Sequence, residues 1–151
     1  MRFMLIIKTT AYSEAGVKHS QAYDEARIAY MKSLARAGVL LADEELQPSG
    51  TGLRIGYPVH GGEPEVTAGP FPVDQGLIAG YTLIDVCSEE EAIDWARRMP
   101  VPYGPVAFEI EVRKLEENRH TPRNPRILAM EDDLEDQRSM LKKYNKGAYT
   151  R

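Results

Sequence analysis

A chain of 151 residues is long enough for one domain with a real core, since folding at that size removes about 70% of the unfolded surface from water. Its 42% hydrophobic and 28% charged residues exclude a disordered or fibrous class, and a formal net charge of -4 argues against a general grip on phosphate backbones, so nucleic acid is not an expected partner. Cys87 is the only cysteine, which leaves no intrachain disulfide or thiolate metal cluster to build and fits a reducing cytoplasm.

The opening stretch MRFMLIIKTT has an apolar run about half as long as a membrane span and lacks a small-residue cleavage site. It is therefore expected as a central strand, with Phe3, Leu5 and Ile7 on one face and Met4 and Ile6 on the other, and neither a leader nor a membrane segment is expected. From Ser20 the period changes to three and four: Tyr23, Ala26, Tyr30, Leu34 and Ala37 predict an amphipathic helix that stops at Gly38. VLLADEELQPSG then reads as a short strand running into acidic residues and a turn. TGLRIGYPV and PEVTAG flank HGGE, whose paired glycines suit a peripheral hairpin.

GLIAGYTLIDV is the next long strand, and SEEEAIDWARRMP follows as a helix with Ser88 as N-cap, Glu91 as its capping-box partner and Arg97 and Arg98 near the C-terminus. AFEIEVRKL alternates apolar and charged residues, the pattern of a strand with one wet face. Without the hairpin the order is strand, helix, strand, strand, helix, strand: an α+β class, ferredoxin-like βαββαβ layer with an inserted hairpin. Two helices cover one sheet face, and the other is expected to be hidden against a second copy, which makes the chain a homodimer forming a dimeric α/β barrel. Residues 1–115 form that domain; residues 116–151 are expected to be a polar, proline-interrupted linker and a C-terminal helix over EDDLEDQRSMLKKYNKG, a possible docking surface for a protein partner.

Three stretches, AGVLLADEELQPS, AGPF and LIAGYTLIDVCSEEEAIDWARRMP, resemble the DGPF branch of the YCII-related proteins over about residues 1–115. The resemblance implies a dimeric α/β barrel of ferredoxin-like halves. It also implies departures. The acid that usually precedes Gly-Pro-Phe is Ala68 here, and the polar loop that follows is reduced to Pro72, Val73, Asp74, Gln75 and Gly76. The other branch of these proteins carries a histidine on the first helix eleven residues before its terminal glycine; counting back from Gly38 gives Arg27. Gly69 is expected to supply a backbone angle denied to other residues, with Pro70, Pro72 and Phe71 stiffening and anchoring a loop over a sheet pocket.

The candidate catalytic groups are Glu45, where the second strand runs out, Asp74 in the loop, and His19, which lies just ahead of the first long helix. Asp43 and Glu44 are expected to be solvated. Tyr12, Tyr30, Tyr81 and Tyr103 can each set an amphipathic ring beside a cavity; Phe71 and Gln75 join them as candidate substrate contacts, and Arg27 can neutralise an acidic ligand group or pair with Asp24. His19, His60 and His120 lack metal-ligand spacing, and no phosphate loop or nucleophile elbow is present, so no metal and no cofactor is expected. The leading reading is a small-molecule enzyme of lyase, isomerase or cofactor-free oxygenase type, using carboxylate or tyrosine acid–base chemistry on a small oxygenated ligand. The alternative is a non-catalytic ligand-binding or regulatory accessory of a transcription-factor system, and the least informative is a purely structural dimer.

Overall fold

The computed structural model describes residues 1–102 and 104–116. Tyr103 and the expected linker and C-terminal helix lie outside the described residues.

The long apolar runs become the centre of a four-stranded antiparallel sheet. Strand β1 (Arg2–Lys8) pairs on one side with β5 (Ile78–Asp85) and on the other with β6 (Ile110–Lys114), while β2 (Leu40–Glu45) closes the far edge on β5, giving the order β2-β5-β1-β6. With helices α2 (Gln21–Arg36) and α3 (Glu89–Arg97) in the two crossovers, this is a ferredoxin-like α+β layer. The period of two divides the residues of β1 cleanly. Phe3, Leu5 and Ile7 are buried beneath the helices, and Met4 and Ile6 on the opposite face are only half-buried. In β5 the buried set is Gly80, Thr82 and Ile84, facing Ile7, Leu5 and Phe3 across the ladder.

Helix α2 starts where Ser20 Oγ accepts the Tyr23 amide and ends before Gly38, whose φ of 71° only glycine adopts without strain. Helix α3 starts likewise on Ser88, which accepts the Glu91 amide, and Glu91 Oε2 reaches back to the Cys87 amide, one residue earlier than the usual reciprocal bond. Leu34 of α2 and Ala92, Trp95 and Ala96 of α3 meet the buried residues of β1 and β5 in a single core. The Tyr30 hydroxyl donates to the Trp95 carbonyl at 2.8 Å, tying α2 to α3.

One element was not anticipated from the sequence. Helix α1 (Ala11–Glu14) is a single turn in which Thr10 and Ser13 exchange capping bonds, a local arrangement with no apolar stripe to announce it. The stripe of α2 also differs from expectation: Ala26 is exposed and Arg27 occupies the buried position, because a partner across the interface compensates its charge.

The hairpin is β3 (Leu53–Gly56) with β4 (Glu65–Ala68), closed at its base by the Gly69 amide donating to the Gly52 carbonyl at 2.9 Å. Short 3₁₀ turns at Ser49–Thr51 and Val73–Gln75 flank it. Gly69 is required for a different reason from the one expected. Its φ lies outside the left-handed region, but a Cβ at this position would sit 1.8 Å from the Ser49 carbonyl oxygen, so two backbones touch where no side chain fits. The Gly69–Pro70 peptide is cis.

Candidate functional site

Two rows of polar side chains face each other where α2 begins and β2 ends. A spacing of four residues places His19, Tyr23 and Arg27 in line along α2 and its lead-in, the His19 ring lying 4.4 Å from the Tyr23 ring between centroids. On β2 the period of two places Asp43 and Glu45 on the same, helix-covered side of the sheet, paired with Thr82 and Gly80 of β5. The sequence expectation treated Asp43 as solvated and Asp24 as the partner of Arg27. The partner is instead Asp43, whose Oδ1 accepts from Arg27 Nη2 at 2.7 Å and from Thr82 Oγ1 at 2.6 Å, while the same Nη2 also reaches Thr82 Oγ1 at 3.3 Å. Arg27 is 6% exposed and Thr82 fully buried, so the triad is a charged plug in the core wall. Arg27 Nε and Nη1 are buried with no hydrogen-bond partner among the described residues.

Beyond this plug the rows open into a cleft of ≈ 220 Å³ lined by His19, Tyr23 and Glu45, with Lys8, Pro48 and Phe108 among its walls. A smaller cleft of ≈ 190 Å³ continues from it past Tyr12 and shares His19 and Tyr23. Burial pushes the Tyr23 hydroxyl above its ordinary value of 10.0; Arg27 opposes that shift, and Glu45, Asp24 and Asp43 add to it. Tyr23 is consequently a hydrogen-bond donor at neutral pH, beside an imidazole and a carboxylate that can exchange protons.

A third cleft, of ≈ 380 Å³, adjoins the first through the shared residues Leu46 and Pro48. One wall is formed by Phe71 of the Gly-Pro-Phe segment with Ser49 and Arg54. Ser49 organises this wall: its amide and hydroxyl both donate to Glu14 Oε1, and its hydroxyl oxygen accepts the Phe71 amide at 2.8 Å. The Phe71 ring in turn carries the Arg54 guanidinium at 4.0 Å, and Arg54 Nη1 donates to Gln75 Oε1 at 2.7 Å. Phe71 is thus tied to Ser49 through its amide and supports a hairpin arginine on its ring.

The structure therefore gathers His19 and Glu45 into one cleft and sets Tyr12 beside it, with Phe71 in the adjoining cleft and Gln75 against Arg54. Asp74 is exposed and lines none of the three clefts. Tyr81 points to the opposite sheet face, level with Ile6 and Glu44. Arg27 and Tyr30 are buried, the first by its ion pair and the second by its bond to Trp95, and burial pushes the Tyr30 hydroxyl up to about 12. Sequence reasoning missed Tyr23, Asp43 and Arg54 as members of this region. For Tyr23 a signal existed, since it lies four residues from His19 and four from Arg27. No group of three or more histidine, cysteine, aspartate or glutamate side chains among the described residues is placed to hold a metal ion.

The family model for the YCII-related domain matches residues 1–116, the whole of the sheet and its helices. The chain belongs to the YCII-related domain family. Membership of this family of small proteins does not by itself specify a reaction. No curated protein matches the chain. Within this YCII-related domain no helix of the described residues is long and apolar enough to cross a membrane.

Proposed function

We propose that this YCII-related protein, by its Gly69-Pro70-Phe71 segment a member of the DGPF branch, is a small-molecule enzyme that moves a proton on a small oxygenated compound held between α2 and β2. The observation that carries this reading is the joint presence of His19, Tyr23 and Glu45 on one cleft. Glu45 is the base that removes a proton from carbon or oxygen, Tyr23 donates a hydrogen bond to the oxygen where charge builds up, and His19 returns or relays the proton. A volume of ≈ 220 Å³ is below the roughly 300–1,000 Å³ of drug-sized sites, which suits a small metabolite. The Arg27–Asp43–Thr82 plug fixes the floor and keeps α2 in register with β2.

The test is deuterium incorporation from heavy water into a panel of small hydroxy and keto compounds, followed by NMR. Exchange that Glu45→Gln reduces by about a hundredfold or more supports the assignment; exchange indifferent to Glu45→Gln and Tyr23→Phe removes it. A non-catalytic binding module is the second reading, favoured by the internal use of the Gly-Pro-Phe segment, whose Phe71 amide donates to Ser49 and whose Phe71 ring carries Arg54. It requires saturable ligand binding in the same cleft with no exchange for any compound.

Association of two copies through the open sheet face belongs to the same reading. Met4, Ile6 and Leu83 make a half-buried apolar band there, flanked by Glu44, Glu111 and Arg113. Sedimentation that finds only a folded single copy at high concentration contradicts it.

A further inference from the structure

The ≈ 380 Å³ cleft holds one basic and one acidic side chain among its lining residues, and the two are used differently. Glu14 Oε1 accepts from both the amide and the hydroxyl of Ser49. Arg54 is held from two sides, by the Phe71 ring beneath its plane and by Gln75 at one nitrogen. That leaves most of the five N–H donors of the guanidinium available, and no carboxylate of the described residues lies within 4.0 Å of it. A guanidinium fixed on an aromatic face and steered by an amide is preorganised for a planar, two-oxygen anion, since its rotamer freedom is already restricted before binding.

Resting on the proton-transfer reading above, we infer that Arg54 is the carboxylate-recognition residue of that site: the ligand is a small monocarboxylate with an apolar or aromatic body. Its carboxylate sits on Arg54, its body lies along Phe71, Leu46 and Ile78, and its reacting end passes Leu46 and Pro48 into the cleft of His19 and Glu45. Charge selects the anion. One free guanidinium balances one negative charge, and the nearby Glu14 carboxylate opposes the second charge of a phosphate monoester. Gln75 is a positioning residue here, because it acts through Arg54.

The experiment uses the full ¹⁵N-labelled chain titrated to millimolar concentrations with phenylacetate, phenylacetamide and phenyl phosphate. The expected result is saturable shifts of the Ser49, Gly52, Arg54 and Phe71 amides with phenylacetate, at an affinity about tenfold above that of phenylacetamide. Arg54→Gln removes that advantage, Arg54→Lys keeps only part of it because the planar fork is lost, and Gln75→Leu weakens phenylacetate binding less than Arg54→Gln does. Equal binding of acid and amide, stronger binding of phenyl phosphate, no saturable shift with phenylacetate, or an Arg54→Gln chain that binds as well as the parent each overturns the inference. Glu45→Gln separates the two readings: it abolishes proton exchange but leaves the phenylacetate shifts at Arg54 in place.

Discussion

In the four-stranded sheet, Thr82 and Ile84 of β5 have no exposed surface and Leu5 of β1 has none either, whereas all eight strand residues of the β3–β4 hairpin are exposed. Both regions are antiparallel ladders, and the hairpin is the more regular, since the main sheet shifts register at Ile7/Lys8 and at Leu40/Ala42. They differ in what covers them. The main sheet is stabilised by two helices packed on its apolar side, at about 25 cal/mol for each Å² of apolar surface removed from water. A two-stranded hairpin in isolation is marginal; this one depends on its base, where Gly69 lies against the Ser49 carbonyl, Ser49 binds Phe71 and Glu14, and Arg54 stacks on Phe71. The difference teaches that the Gly-Pro-Phe segment is a joint: it fastens an otherwise unsupported ladder to a stable one and shapes a cleft in doing so.

Four substitutions probe that contrast. Asp43→Asn in the main sheet leaves the buried Arg27 guanidinium without its counter-charge, so a loss of about 3 kcal/mol is expected in chemical denaturation, with the whole domain unfolding sooner. Gly69→Ala drives a Cβ into the Ser49 carbonyl at the hairpin base, and about 2 kcal/mol is expected from the forced backbone shift. Hydrogen exchange should show that loss in the amides of β3 and β4 with little change in β1; uniform acceleration would mean that the joint belongs to the main core. Tyr30→Phe removes the bond to Trp95 and is expected to cost about 1 kcal/mol at neutral pH. The Tyr30 hydroxyl is raised to about 12 from 10.0, so it contributes stability that is complete below the ordinary tyrosine value and is lost as pH rises through about 12. The parent should therefore show an alkaline decline above pH 10 that the variant lacks in part. Ile55→Ser, on the exposed hairpin, should change stability by no more than about 0.5 kcal/mol, and a larger loss would mean that something covers this face.

Much of the architecture could be read from local patterns. The runs LIIK and LIAGYTLID are too apolar and too short for anything but inner strands, Ser88 and Glu91 announce α3, and the glycines of HGGE separate the hairpin strands. These signals act within a few residues, which is the range a one-dimensional reading can see. The Arg27–Asp43 pair spans 16 residues and depends on how α2 lies across β2, so a reading confined to helix spacing offers Asp24, three residues away, and not the partner that the fold supplies. Arg54 is hidden for a related reason: it is an ordinary polar position in the alternation of Leu53 and Ile55, and only the fold brings it onto Phe71, seventeen positions on. His19 and Glu45 stand at the ends of elements, where a sequence offers them one by one, whereas Tyr23 shares the spacing of the core stripe and only the fold puts all three on one cleft. At Gly69 a sequence shows that a side chain is missing but not that the Ser49 carbonyl, rather than a left-handed backbone angle, requires the gap.

The hydrogen bond from Gly69 to Gly52 encloses everything from 53 to 68 within a closed bracket of the chain. Extra length added at the tip, between 57 and 64, would lengthen an appendage without moving either of the residues that fasten it, and doubling a loop costs only about 0.6 kcal/mol in closure entropy. Natural variation in the size of this protein is thus expected to collect at that tip, where a relative can gain or shed an arm while the clefts that meet at Leu46 and Pro48 keep their walls.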